Sequence, residues 1–333
     1  MKNYRTYIGI DVAKLTLDYC IVKEDPQLEQ GQILNTQKSV DKFLKTLKKT
    51  GCQMNETLFV FENTGIYSSL LALVLSENKL DYAQVPALEI KRSLGITRGK
   101  SDKVDAKEIA HYAKRNTDKI ALSILPELSL QQLKIVFAER EKTVAAIKTF
   151  ERTKENEMFL TKEVFNSVKA INNQTVKHLK KQLVMLDEKI RTLIREDENL
   201  YGQQQLLKSI PGIGDITSVY ILMATKGFTA FTSGRKFACY SGVAPFEHSS
   251  GTSIKGKTRV SHLADKKMKT LLHMASLTAI KYDPELKDYY NRKKAEGKHT
   301  MLVLNNIKCK MVYRIFAVIQ RKSNFVNLHK FAA

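Results

Sequence analysis

Long apolar runs, paired cysteines and, towards one end, acidic residues are all scarce in this chain of 333 residues. No stretch approaches the ~20 consecutive apolar residues that span a bilayer, and the opening MKNYRTYIGID lacks the apolar core of a secretory signal. A membrane-embedded or exported protein is therefore not expected, and the chain reads as soluble and cytoplasmic. Cys20, Cys52, Cys239 and Cys309 lie far apart and form no CxxC pair, so neither a zinc site nor a disulfide framework is suggested; they read as small fillers. Only six prolines, no low-complexity segment and no internal repeat accompany a hydrophobic content of 43%, a globular composition long enough for two or three domains.

What is present in excess is positive charge, +21 in net terms. Residues 1–125 carry 19 Lys and Arg against 15 acids and residues 126–200 carry 14 against 12, whereas residues 201–333 carry 22 against seven. A field of that sign attracts polyanions, above all the backbone of DNA or RNA. An acidic membrane surface is the lesser alternative, because no amphipathic helix offers an aromatic apolar face for insertion.

Residues 1–125 read as an α/β domain with a mixed sheet. Tyr4 to Val22 has the pattern of a β-hairpin, Gly31 to Gln37 of a strand and Val40 to Lys49 of an amphipathic helix. Thr57 to Phe61 is an apolar strand, followed by a helix from Ile66 to Ser76, a strand from Asp81 to Val85, a helix from Leu88 to Leu94 and a last helix ending near Arg115. Two acids fall where strands end, Asp11 and Glu62, in the place where an open α/β sheet keeps its active crevice. Two more, Asp102 and Asp105, stand three apart in TRGKSDKVDAKEIA, so on a helix they share a face. Alone, that pair reads more readily as a solvated helix end capped by Asp102 than as half of a metal site. Four carboxylates in one pocket repel one another unless cations neutralise them, and two Mg²⁺ ions suit an all-oxygen donor set and phosphodiester chemistry.

Residues 126–200 read as a coiled-coil arm. Leu130, Leu133, Phe137, Val144 and Ile147 make a seam interrupted by Arg140, and Val176 to Leu193 makes a second seam, with a break expected near Asn172 and Asn173. The seam is satisfied by an intramolecular hairpin or by a second copy of the chain. Residues 201–333 read as mainly α. Ile210 to Gly214 between two apolar helices has the form of a helix-hairpin-helix element, in which Gly212 and Gly214 let backbone N–H groups meet a phosphate; a plain helix turn is the alternative. The polar loop that follows carries Ser249 and Ser250 before Gly251, then Lys255, Lys257 and Arg259, and Lys266 and Lys267 open the next helix; these cations are candidate nucleic-acid contacts. His248 is the one evident base nearby, and a lone histidine is more often incidental than catalytic.

GIDVAK with Asp11, FENTG with Glu62 and KSDKVDAKEIA with Asp102 and Asp105 resemble the RuvC-like (RNase H-like) DEDD domain of a family of bacterial insertion-sequence transposases, recombinases guided by a bridge RNA. YSGVAPFEHSSG is similar to that family's second signature, a Gly-x-x-Pro segment followed by Ser-Gly. The resemblance implies that the four acids hold Mg²⁺ and that a serine becomes joined to DNA: Ser250, or Ser249 if the register shifts by one. It also implies a guide RNA, donor and target DNA, and a dimer or tetramer whose arm joins protomers and whose acids and serine meet from different copies, in a bacterial, nucleoid-associated setting. The following helix departs from the pattern, with Ala264 and Lys269 where the family has Gly and Arg, and Lys269 is given no catalytic role. Two other readings accommodate the residues. One is a Mg-dependent, structure-selective endonuclease of Holliday-junction type with water as nucleophile; the other is a non-catalytic nucleic-acid-binding protein.

Overall fold

Alternation of apolar side chains sets the N-terminal sheet, because β1 (Thr6–Val12) and β4 (Thr57–Glu62) are apolar on both sides and must be covered on both. The computed structural model describes residues 2–23, 28–93, 102–250, 254–260 and 263–327; the side chains of 102–104, 154, 156, 247–250 and 254–259 lie outside that description. The chain divides into two units, 1–125 and 126–333.

In the first unit the strand order is β3-β2-β1-β4-β5, with β2 (Thr16–Val22) and β3 (Leu28–Leu34) antiparallel to the centre and β5 (Tyr82–Val85) parallel to β4. One face buries Ile8, Ile10, Phe59 and Phe61 against α1 (Gln37–Lys49) and α2 (Ser69–Glu77). Thr36 caps α1 by accepting from the Ser39 N–H, and Val40, Phe43, Leu44 and Leu47 form its buried stripe. The opposite face buries Tyr7, Cys20, Val22, Leu58 and Val60 against Ala106, Ile109, Ala110 and Ala113 of α4 (Asp102–Arg115), which follows the short α3 (Ala87–Ser93). β3 lies three residues earlier than the sequence pattern placed it, since its alternate side chains are exposed at the sheet edge and carry little apolar signal.

The second unit begins with α5 (Leu128–Arg152) and α6 (Lys162–Arg195), an antiparallel pair fastened by Lys180 to Glu151 (2.7 Å) and Arg140 to Asp187 (2.6 Å), while Ser129 at the start of α5 donates to Asp197, just beyond α6 (2.6 Å). The break between them falls at 153–161, not near Asn172 and Asn173. Both asparagines lie inside α6, where Asn172 donates to Thr153 Oγ1 at 3.1 Å, so a polar pair that reads as a helix breaker instead ties the helices together. Arg140 interrupts the apolar seam because its guanidinium reaches Asp187 and Glu141. The base of the pair shares one core with α7 (Glu198–Lys208), α8 (Asp215–Thr225), α9 (Gly234–Tyr240), α10 (Lys266–Tyr282), α11 (Pro284–Ala295) and α12 (Thr300–Arg321), centred on Phe237, Leu272, Ile307 and Ile315. Between α9 and α10 runs a hairpin of β6 (Pro245–Ser250) and β7 (Ile254–Val260).

Candidate active site

Asp11 and Glu62 reach one face of the sheet by parity. Asp11 is two residues beyond Gly9, and a Cβ on Gly9 would lie 2.2 Å from the Ala110 amide and 2.4 Å from the Ala106 carbonyl, so this side of β1 faces α4. Glu62 continues the alternation of Leu58 and Val60, which are buried on the same side. The parallel register pairs Ile10 with Phe61, and extending it by one residue sets Asp11 beside Glu62 on strands about 4.8 Å apart. The C-terminal end of α4 is tied to the start of β1 by Thr117 Oγ1 donating to Tyr7 Oη at 3.1 Å, so α4 runs antiparallel to β1 and its N-terminal turn lies towards Asp11. Asp105 sits in that turn, next to Ala106. Asp102 opens the helix one turn before Ala106; its side chain is outside the described residues.

Sequence reasoning missed a fifth acid. Asp18 of β2 is 3% exposed, stands directly across from Asp11, and shares the face of Cys20 and Val22. Gln32 Nε2 donates to both its oxygens at 3.1 and 3.0 Å. The only hint in sequence was an acid within an otherwise apolar strand, LTLDYCIV. Like charges directly opposed across strands repel, and the negative character extends along α4: burial, and then the charge of Asp105, push the Glu108 carboxyl above its usual range. Among the described side chains no three acids, histidines or cysteines are close enough to hold a metal ion. The donor set is carboxylate oxygen throughout, which is the chemistry of a hard divalent cation.

The candidate nucleophiles lie on the second unit. In the β6–β7 hairpin Ser250 pairs with Ile254 and Ser249 with Lys255, which puts both serines at the last described pairs of the ladder; residues 251–253 lie outside the described residues. The side chains of Ser249, Ser250, His248, Lys255, Lys257 and Arg259 are outside the described residues. The hairpin's root is firmly tied. Asp265 donates its N–H to the Tyr240 carbonyl at 2.9 Å, and its carboxylate accepts from Tyr240 Oη (2.7 Å), Tyr220 Oη (2.9 Å) and the Met268 amide (2.7 Å). Burial, then the bond to Asp265, push both tyrosines well above their ordinary value.

The basic candidates divide by environment. Gly212 has φ +94°, and a Cβ there would meet the Ala275 carbonyl at 2.3 Å, so this glycine serves the close packing of the α7–α8 turn on α10. Gly214 is open: it is exposed and precedes α8, whose first acid Asp215 pairs with Lys208 at 2.6 Å. Lys266 is exposed, while Lys267 pairs with Glu141 of α5. No helix among the described residues is long and apolar enough to cross a membrane.

Acids at strand ends and a strongly basic helical unit fit a protein that acts on nucleic acid, and the comparisons point to DNA transposases. Residues 8–156 match the DEDD transposase model of the IS110 type, and residues 204–291 match that of the transposase IS116/IS110/IS902 family. The chain belongs to the IS110 family of transposases. It is 28% identical to the pilin gene-inverting protein of Moraxella bovis over 96% of this chain and 98% of that one. It is 33% identical to the insertion element IS900 uncharacterized 42 kDa protein of Mycobacterium paratuberculosis, over 39% of this chain and 33% of the relative. Among solved structures it is similar to RuvC of Thermus thermophilus, with 11% identity, 35% of this chain and 99% of the other covered, and a TM-score of 0.26.

Proposed function

We propose that this transposase is an RNA-guided DNA recombinase that cuts and rejoins strands through a phosphoserine linkage. The observation that carries the reading is that Asp11 and Glu62 end neighbouring strands on the face covered by α4, whose first turn carries Asp105. Ser250 on the hairpin, with Ser249 one residue before it, supplies the hydroxyl. The relative named for pilin gene inversion fits strand exchange rather than simple cleavage.

In the proposed reaction Ser250 Oγ attacks a DNA phosphorus. An O–P bond forms to serine as its hydroxyl gives up a proton, the P–O bond to one deoxyribose breaks, and the released sugar oxygen takes up a proton in turn, so the step balances. The sugar hydroxyl of the exchanged strand reverses the step, restoring a phosphodiester and the free serine. Asp11, Glu62, Asp102 and Asp105 are the residues that would hold two Mg²⁺ ions, which would supply Lewis acidity there. The protein's own part is positional: β1 and β4 fix two carboxylates side by side, α4 brings its first turn to them, and the hairpin presents the serine beside the cations of β7. The +15 excess over residues 201–333 holds the DNA and the bridge RNA through their phosphates.

The working unit is a homodimer or tetramer. Its interface includes the end of the helical pair, where Met158, Phe159, Val164 and Ile171 are more than half exposed. Incubation of the protein with its guide RNA, Mg²⁺ and labelled DNA, followed by denaturing electrophoresis, gives protein-linked DNA in the wild type and none in Ser250→Ala. Cleavage without a linked species, or an adduct that survives in both Ser250→Ala and Ser249→Ala, would refute the serine mechanism and favour water as nucleophile.

A further inference from the structure

Two charged side chains of the C-terminal unit are buried among the described residues, and one of them has partners. Asp283 is 1% exposed, and it accepts from Arg314 at 2.5 Å and from the Leu286 amide at 3.3 Å. Lys308 differs: it is 4% exposed in the middle of α12, between fully buried Ile307 and Met311. Among the described residues it makes no ion pair and donates no hydrogen bond. The charge beside it is another cation, Lys269 of α10; burial, then that neighbour, lower its pKa. A buried ammonium facing a like charge is costly, and an apolar residue of similar length would pack there at lower cost.

The position gives the cost a use. One turn back on α12, Asn305 Nδ2 donates to the Val243 carbonyl at 2.9 Å, two residues before β6 begins. Lys269 lies in the first turn of α10, just after Asp265, whose N–H is bonded to the Tyr240 carbonyl. The two lysines therefore lie on the neighbouring helices α10 and α12, each within about a turn of a residue bonded to the chain that flanks the β6–β7 hairpin. We propose that Lys308 and Lys269 form a seat for one backbone phosphate of DNA beside that hairpin, downstream of the strand that the hairpin engages. The seat itself needs only phosphodiester chemistry; that the strand is the one led to Ser250 rests on the function proposed above.

The test uses the full chain and a duplex DNA of arbitrary sequence, with binding followed by fluorescence anisotropy across a salt series. Loss of one phosphate contact lowers the slope of log affinity against log salt by about 0.9. Lys308→Met is expected to show that loss with an unchanged or raised melting temperature, because a buried charge has been removed, and Lys308→Arg is expected to keep the slope. Wild-type slope in Lys308→Met overturns the proposal, as does weaker binding that merely follows a lower melting temperature. A loss seen with single-stranded RNA but not with duplex DNA overturns the assignment to DNA. Should Lys308→Met fail to fold, Lys269→Met, on a less buried side chain, reads the same slope. Because non-covalent binding is measured, failure of the serine chemistry leaves this result standing.

Discussion

Replacing Gly9 by alanine tests the contact that brings α4 to the acids. The Gly9 backbone is not in the left-handed region, so alanine is conformationally allowed and the whole effect is contact. The new methyl would lie 2.2 Å from the Ala110 amide nitrogen, 2.4 Å from the Ala106 carbonyl oxygen and 2.8 Å from the Ala110 Cα. All three are helix backbone atoms, which cannot yield one at a time, so α4 must withdraw by about 1 Å to restore ordinary contact. Overpacking of this kind costs about 1–3 kcal/mol, and the rigidity of the helix puts the expected value near 3 kcal/mol. With an unfolding entropy of about 2.1 cal/mol/K per residue over residues 1–125, that is a fall of about 11 °C in the melting temperature of this unit. The withdrawal also moves Asp105 away from Asp11, so stabilisation by magnesium, about 2.7 kcal/mol at a hundred times the dissociation constant for an intact site, should largely vanish. Thermal scans with and without magnesium read both effects. A Gly9→Ala protein that melts with the wild type, or keeps its full magnesium shift, would show that α4 does not owe its position to this crossing.

Asp18→Asn keeps an acceptor for Gln32 but removes the charge opposite Asp11; the metal-free protein should gain about 0.5 kcal/mol, roughly 2 °C, and respond less to magnesium. A loss of stability with an unchanged magnesium response would instead make Asp18 a purely structural acceptor. The raised pKa values of Tyr220 and Tyr240 carry a definite sign: their stabilisation is whole below the ordinary tyrosine value of 10.0 and is lost as pH rises above it, by up to about 1.4 kcal/mol per pH unit for each. Urea midpoints at about pH 9 and pH 11 should therefore diverge in the wild type and less so in the Tyr220→Phe, Tyr240→Phe protein; equal divergence in both would remove the Asp265 cluster as the cause.

The strands of the first unit were legible because β1, β2 and β4 carry their own pattern, seven or six residues of β-branched and aromatic side chains. That Asp11 and Glu62 end their strands was legible for the same reason. Their common face was not, since it depends on which side of the sheet α4 covers, and that is decided some hundred residues later by small side chains, Ala106, Ala110 and Ala113, meeting Gly9. Asp18 escaped notice because its partner, Gln32, lies on a strand with almost no apolar signal. The break at 153–161 was misplaced because Asn172 and Asn173 have poor helix propensity, and tertiary contact with Thr153 overrides it. Gly212 has a turn conformation, as its sequence suggested, yet the tightest demand on it comes from the α10 backbone, which no local pattern announces.

The clamp at Asp265 has a mechanical consequence. From Pro245 to Ser250 the chain climbs five residues, about 17 Å, so the serine rides at the end of an arm whose base is fastened by Tyr220, Tyr240 and Asp265. A tilt of about 10° at the base swings the tip by about 3 Å, the span between an aligned attack and a missed one. The irregular register between Phe246 and His248 falls near the base, where a bend has the most leverage. Under the proposed serine chemistry, substitutions there would change the timing of strand exchange while leaving the hydroxyl itself in place.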